Sequence, residues 1–376
     1  MSKSIEEFVQ ENTEELYKIL KELCLIPAPS HHEEKRAEYC KNWFHKNGMT
    51  DAYIDGALNV VLPYQADGSN SLAVFAAHTD TVFPDTEPMP YLDDGERIYC
   101  PGVGDDTASV AALMLTAKYF FDNAIQTNGV LFVCNSCEEG LGNLKGTRFL
   151  FESFNGRIEK FISFDSSFNN AADRCVGSHR YEVEVLTEGG HSWGKFGNTN
   201  AIAEISKIVN AIYSIDLPKK DGKKVTYNVG GISGGTSVNT IAQSAKILCE
   251  YRSDDLELLS YMKSEFERIF NEARSEKVKV NVTLIGDRPC ATEIDRAKME
   301  ALKEIADSVI LELTGKEIKY GSSSTDCNIP LSLGIPALAI GSHLANGAHT
   351  REEYVVKSSL APGLEVSIKV TLKYAR

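Results

Sequence analysis

Four short, nearly continuous apolar runs, at residues 72–77, 130–134, 161–164 and 336–340, constrain this chain more than any other feature of its sequence. Apolar runs of that length, without polar alternation, suit strands covered on both faces by helices. Helical patterns precede and separate them: Phe8, Leu16, Ile19, Leu20 and Leu23; then Ala37, Cys40, Trp43 and Phe44 before Gly48; then residues 109–121. This alternation predicts an α/β domain with a mostly parallel sheet.

The middle third reads differently. Strand-like 181–187, helix-like 201–215, strand-like 225–232 and 245–251, helix-like 256–273 and strand-like 278–285 follow in the order β-α-β-β-α-β, which is the ferredoxin-like order. We therefore expect residues 180–288 to be a separate domain inserted into a discontinuous one made of residues 1–179 and 289–376. Two domains also suit a chain of 376 residues. Gly230, Gly231, Gly234 and Gly235 are not followed by Gly-Lys-Ser/Thr and read as turn residues rather than a phosphate loop.

Charge and cysteine usage remove several classes of function. With 39 Lys and Arg against 53 Asp and Glu, the net charge of −14 repels phosphate backbones and anionic lipid, so neither nucleic acid nor a membrane is an expected partner. The acidic, amphipathic start lacks the basic and apolar regions of a signal peptide, and no apolar run approaches the ~20 residues that cross a bilayer, so a cytoplasmic location is expected. Nine scattered cysteines fit reduced thiols in such a compartment. Cys134 and Cys137 match C-x-x-C, the pattern of a thiol oxidoreductase or half a zinc ribbon, but no second pair completes four ligands.

Each apolar run leads to residues of metal-ligand type. The first runs into His78-Thr79-Asp80, the second into Glu138-Glu139, the third into Asp165, and the fourth into a loop holding His343 and His349. A glycine-rich turn, GVGDD, adds Asp105 and Asp106 just before a helix. In an open α/β sheet the ligand crevice lies at the carboxyl ends of the strands, where such residues converge. Imidazoles and carboxylates without thiolate suit a hydrolytic zinc, cobalt or manganese site. Singly, each group has a plainer reading: a polar pair at a strand end, acids favoured at a helix start, or a helix N-cap at Asp105 or Asp106.

Together, AHTDTV, GVGDDTAS, CEEGLGNLKG, FISFDSS, GGHSWGKFGNTNA and GAHTREEYV resemble the M20 family of two-zinc peptidases and deacylases, which includes peptidase T and carboxypeptidase G types. The resemblance spans nearly the whole chain and implies a zinc-peptidase catalytic domain with an inserted lid or dimerisation domain. It implies that His78 and Asp165 hold one metal, Glu139 and His349 the other, and Asp105 both, with His349 followed by Glu353 in the family's spacing. Three carboxylates nearly balance two dications, leaving a small positive excess that acidifies a shared water. Asp80 would orient His78 through the second ring nitrogen. Glu138 would be the general base that takes a proton from the metal-bridging water. His191, in cis or from a partner subunit, would stabilise the oxyanion, and Asn239 and Arg252 would bind the substrate's carboxylate end. HSWG and the doubled aspartate lean towards peptidase T, hence a tripeptide aminopeptidase. Thr107 and Ala108 depart from the lysine and glycine usual after the aspartate, which affects substrate analogy more than the metal site.

Carboxypeptidases, dipeptidases and N-acyl amino acid deacylases share the same implied metal core, so all remain alternatives. A non-catalytic peptide-binding protein is a remote one, because the ligand set and Glu138 are all present. A homodimer through the inserted domain is a further expectation.

Overall fold

The computed structural model describes residues 3–375, which fall into two compact units: the chain up to Cys175 with the chain from Thr292, and Val176–Ala291. The first unit is built on an eight-stranded sheet. Its middle four strands, in the order Val130–Asn135, Leu72–His78, Ile158–Ser163 and Ala337–Ile340, are mutually parallel. Every residue of Leu72–His78, Val130–Asn135 and Ala337–Ile340 is buried, so these strands have no wet face, which is why their sequences do not alternate. Phe75 lies between Phe132 and Phe164, with ring centroids 6.1 and 6.4 Å away, and Phe120 of the helix Ala108–Asp122 meets Phe132 edge-on at 5.4 Å. That helix packs with Ile5–Cys24 and Leu360–Tyr374, and Arg296–Thr314 also packs against the last of these. The first helix starts from a capping box in which Ser4 Oγ accepts from the Glu7 amide and Glu7 accepts from the Ser4 amide, satisfying two end donors.

Two strands without an apolar run extend the sheet. Asn170–Cys175 lies antiparallel beside Ala337–Ile340, and Lys319–Ser323 pairs parallel with it at the edge. Their sequences, NAADRC and KYGSS, carry no periodic signal, and tertiary pairing alone makes them strands.

Val176–Ala291 forms a four-stranded antiparallel sheet in the order Val225–Gly234, Ser244–Ser253, Gly177–Leu186, Lys279–Arg288. Helices Ala201–Tyr213 and Leu256–Glu272 complete the ferredoxin-like βαββαβ order. Alternate residues of the central strands, among them Val183, Val185, Ile247 and Tyr251, are buried, and Tyr251 packs on Phe266 at 4.7 Å between centroids. Gly230, Gly231 and Gly234 differ from the turn reading: they belong to the strand Val225–Gly234, which bulges between Val229 and Gly231. Only Gly235, at φ 72°, follows its end. A Cβ at Gly234 would come within 2.7 Å of Ala245 Cβ, so close strand approach is what requires glycine there.

All nine cysteines are buried thiols, and no helix among the described residues is long and apolar enough to cross a membrane.

Candidate functional site

Strand ends and three loops of the first unit carry the candidate ligands. His78 is the last residue of Leu72–His78, Glu138 and Glu139 follow Val130–Asn135, and Asp165 follows Ile158–Ser163 by two residues. His349 lies between Ala345–Asn346 and Tyr354–Val356, with φ at 65°, in the left-handed region that non-glycine residues occupy only where surrounding contacts enforce it.

The structure brings these groups together in two overlapping sets. His78, Asp105 and Asp165 offer ligand atoms within 4.8 Å of one another, and so do Asp105, Glu139 and His349. Asp105 belongs to both: its Oδ1 is 3.0 Å from His78 Nε2 and its Oδ2 is 3.1 Å from His349 Nε2, which is itself 3.2 Å from Glu139 Oε1. Glu138 joins His78 and Glu139 within the same 4.8 Å limit.

The electrostatics are those of acids gathered out of water. Burial, then the Asp105 charge, pushes Asp165 up to about 7. Asp105 is held below the usual carboxylate range because hydrogen bonds from His349 and His78 outweigh its burial. His349 is pushed up to about 10 by Asp105 and then Glu139, while His78 is raised by Asp105 and Asp80 against a burial that would lower it. Glu139 Oε1 is buried without an aligned hydrogen-bond donor. Nitrogen and carboxylate oxygen donors around acids that lack enough fixed cations fit two divalent metals.

In the metal-free protein the His349 pair stabilises the fold fully below the imidazole's ordinary 6.5 and loses that contribution as pH rises through about 10. The His349 imidazole is thus protonated at neutral pH. Zinc loading at pH 7 should therefore release at least about one proton per chain, and apparent affinity should fall roughly tenfold or more for each unit of pH decrease. Calorimetry in buffers of different ionisation enthalpy measures the count, and a value below one would refute this charge assignment.

A surrounding layer holds the ligands. Asp80 accepts from the amides of Glu138 and Glu139, both at 2.9 Å, and from Ser30 Oγ at 2.6 Å. His78 Nδ1 lies 3.1 Å from the Asp80 carbonyl and 3.5 Å from its carboxylate, so Asp80 fixes the Glu138-Glu139 loop more directly than it fixes the imidazole. Glu353 accepts from the amides of Gly102, Gly104 and Asp105 at 2.8, 2.7 and 2.9 Å, and so shapes the turn that presents Asp105. The turn needs its glycines: a Cβ at Gly104 would be 2.5 Å from Ala345 Cβ, and one at Gly102 2.5 Å from Thr81 Cγ2. Asp106, joined to Asp105 by a cis peptide bond, is fully buried and accepts from the His78 amide at 3.1 Å. His343 is turned to the Gly104 carbonyl at 2.9 Å, and burial lowers it to about 4, so it supports the turn as a neutral imidazole.

Four supporting residues lay outside the sequence reading. Arg36, buried, donates to the Thr79 carbonyl at 2.8 Å and to Thr107 Oγ1 at 3.2 Å, tying the His78 strand end to the Asp105 turn. Its position on the stripe of Ala37 and Cys40 was the available signal. Glu33 accepts from the Cys137 amide at 3.0 Å, next to Glu138, and Ser30 reaches Asp80. Asp326 accepts from Asn135 at 2.6 Å and from Thr147, and nothing in its neighbours' pattern marks it.

The other three predicted residues lie in the Val176–Ala291 unit. His191 pairs with Thr240 across a two-residue ribbon, and the Asn239 carbonyl accepts from the Ser192 amide at 3.0 Å, so His191 and Asn239 are neighbours. His191 is exposed, and its Nδ1 accepts from the Trp193 and Gly194 amides at 3.3 Å, which leaves the neutral ring's proton on Nε2. Arg252 pairs with Ser178 near the far end of Ser244–Ser253, about 26 Å from Ser244 at ~3.3 Å per residue. The His191 ribbon continues beyond the Ser244 end, whereas an extended tripeptide spans only ~10 Å. One chain's His191 and Arg252 therefore do not meet on the same tripeptide. The Arg252 guanidinium is also bound to both oxygens of Glu250, at 2.7 and 3.0 Å.

Two adjoining clefts of the first unit, of about 380 and 480 Å³, meet at Asp165, Ser166 and Asn170. Each is large enough for a small ligand.

Comparison with known proteins gives a consistent family. The model of peptidase family M20/M25/M40 matches residues 74–373. The uncharacterized protein YqjE of Bacillus subtilis (strain 168) is 24% identical over 395 aligned positions, covering 97% of this chain and 100% of its own. A tripeptidase from Staphylococcus aureus superposes with a TM-score of 0.74 at 22% identity, over 96% of this chain and 99% of its own. Bacillus subtilis YXEP, a dinuclear metal binding peptidase, does so with a TM-score of 0.69 at 13% identity, over 97% and 99%. Other sequence relatives are named as a dipeptidase, a carboxypeptidase and succinyl-diaminopimelate desuccinylases.

Proposed function

The chain belongs to peptidase family M20/M25/M40 and is a metal-dependent hydrolase, and from that premise we propose that it is an exopeptidase of short peptides, of the tripeptide aminopeptidase type. The observation that carries this reading is the Asp105 carboxylate shared between two donor sets with Glu138 alongside. We assign His78 and Asp165 to one metal, Glu139 and His349 to the other, and Asp105 to both. Zinc suits these donors best, with cobalt or manganese as alternatives. Divalent metal held there supplies Lewis acidity towards the scissile carbonyl and the attacking water.

The protein's own groups do the rest. Glu138 takes the proton of the attacking water and passes it to the leaving amine, a contribution of roughly 10² to 10⁴ in rate. Asp80 fixes the backbone of Glu138 and Glu139, and His191, with its proton on Nε2, donates to the developing oxyanion. We further propose that His191 acts on its own chain's substrate or, in a homodimer through the Val176–Ala291 unit, on the partner's. The tripeptide preference draws support from cleft size, from the HSWG and Asp105-Asp106 motifs, and from the superposed tripeptidase.

Mass-spectrometric product identification tests both class and direction, using zinc-loaded protein with an unblocked tripeptide, its N-acetyl form and its C-amide. Release of the first residue, lost on N-acetylation, is the expected result. Release of the last residue, lost on C-amidation, would make the protein a carboxypeptidase, and removal of the acetyl group alone would make it a deacylase. No turnover on any of the three would end the exopeptidase reading.

A further inference from the structure

We propose that the cleft beside Asp165 that Lys319 lines holds the substrate's free carboxylate, which makes Lys319 a specificity-determining residue; this rests on the exopeptidase reading above.

The cleft, about 480 Å³, lies between the loop that carries Asp165 and the edge strand Lys319–Ser323. Lys319 pairs with Asn170, and its amide donates to the Asn169 carbonyl at 2.8 Å, so strand pairing fixes its backbone beside the Asp165 loop. Among the described residues it is the only cation lining either cleft, and its ammonium makes no hydrogen bond or ion pair there. Four of the other ten lining residues are small and hydroxyl-bearing: Ser166, Ser322, Ser323 and Thr325. Tyr320 turns its own hydroxyl away to Asp307, at 3.0 Å.

An unpaired ammonium among hydroxyls is complementary to a carboxylate and hostile to an ammonium. The adjoining cleft offers no competing cation. Its charged lining groups, Asp105 and Asp165, are the acids assigned to metal. A zwitterionic peptide is therefore oriented with its anionic end towards Lys319 and a peptide bond towards Asp165. Glu250 already engages Arg252, whereas Lys319 is the unpaired cation of the two. A carboxylate anchored beyond the metals also explains a preference for short peptides, since a longer chain carries its terminus past the cleft.

The test compares trialanine, its C-amide, and Ala-Ala-Asp C-amide on the metal-loaded full-length protein. KM and kcat are measured for wild type, Lys319→Ala and Lys319→Arg, and Kd is measured by calorimetry for the same changes in a Glu138→Gln background. Lys319→Ala should raise KM and Kd for trialanine about tenfold, in line with one charge-assisted hydrogen bond. It should leave kcat within twofold and have no effect on the C-amide, and Lys319→Arg should restore most of the affinity. Added salt should weaken trialanine binding to wild type more than to Lys319→Ala. Tight, Lys319-dependent binding of Ala-Ala-Asp C-amide would assign the cleft to a side-chain carboxylate, the same chemistry from the other source. Equal effects on acid and amide, unchanged trialanine affinity, or no binding of any peptide would overturn the proposal. Binding that obeys the prediction without cleavage would instead sink the exopeptidase reading and leave the Lys319 assignment standing.

Discussion

Zinc-loaded Glu138→Gln protein should bind the same amount of metal as the wild type and hydrolyse peptide about 10² to 10⁴ times more slowly. The substitution keeps the size of the side chain and removes only its capacity to accept and return a proton. The surroundings should tolerate it, because the Glu138 amide bond to Asp80, at 2.9 Å, involves the backbone and not the changed group. The loss should fall in kcat, with KM and peptide Kd nearly unchanged, since a proton acceptor acts on the transition state more than on bound substrate. Metal analysis with steady-state kinetics on one preparation distinguishes the alternatives. Glu138 also lies within ligand distance of His78 and Glu139. Loss of a metal equivalent along with activity would make Glu138 a ligand and leave the position of base unfilled.

The second large effect is expected from Asp80→Ala, which should weaken zinc binding roughly 10- to 100-fold, as loss of an orienting partner does. Removing the carboxylate leaves the buried amides of Glu138 and Glu139 without their acceptor. Each such orphan costs about 1–3 kcal/mol, so the unfolding free energy of the first unit should fall by about 2–6 kcal/mol. Asp80→Asn should fall between, because one carboxamide oxygen still accepts while the NH2 faces a donor. Denaturant unfolding and chelator competition measure the two quantities. Activity loss with wild-type stability and affinity would show that Asp80 acts on the proton inventory of the site and does not hold the loop.

Much of this architecture is legible because it is local. Strands buried on both faces have to be unbroken apolar runs, and amphipathic helices have to repeat near 3.6 residues, so residues 72–77 or 109–121 announce themselves. The ferredoxin-like unit is equally open to reading, since its alternating strands flank two clear helical stretches. Asn170–Cys175 and Lys319–Ser323 escape notice because their pairing partners, and not their composition, make them strands. The same applies to Gly230 and Gly231, which look like a turn and instead form a bulged edge strand.

For the candidate site, the sequence by itself determined the chemical inventory: imidazoles and carboxylates at the ends of strands that a parallel sheet directs to one edge. Only the tertiary structure decided how they are shared. It set Asp105 between His78 and His349, turned His343 to a backbone carbonyl, gave Glu353 three amides of the GVGDD turn to hold, and buried Arg36 between two loops. It also put Arg252 at the opposite end of its strand from the His191 ribbon and Lys319 beside Asp165. The physical reason is range. Hydrophobic periodicity is a property of neighbouring residues, whereas a ligand set, a shared carboxylate or a substrate cleft arises from side chains far apart in the chain that meet only once the sheet has assembled.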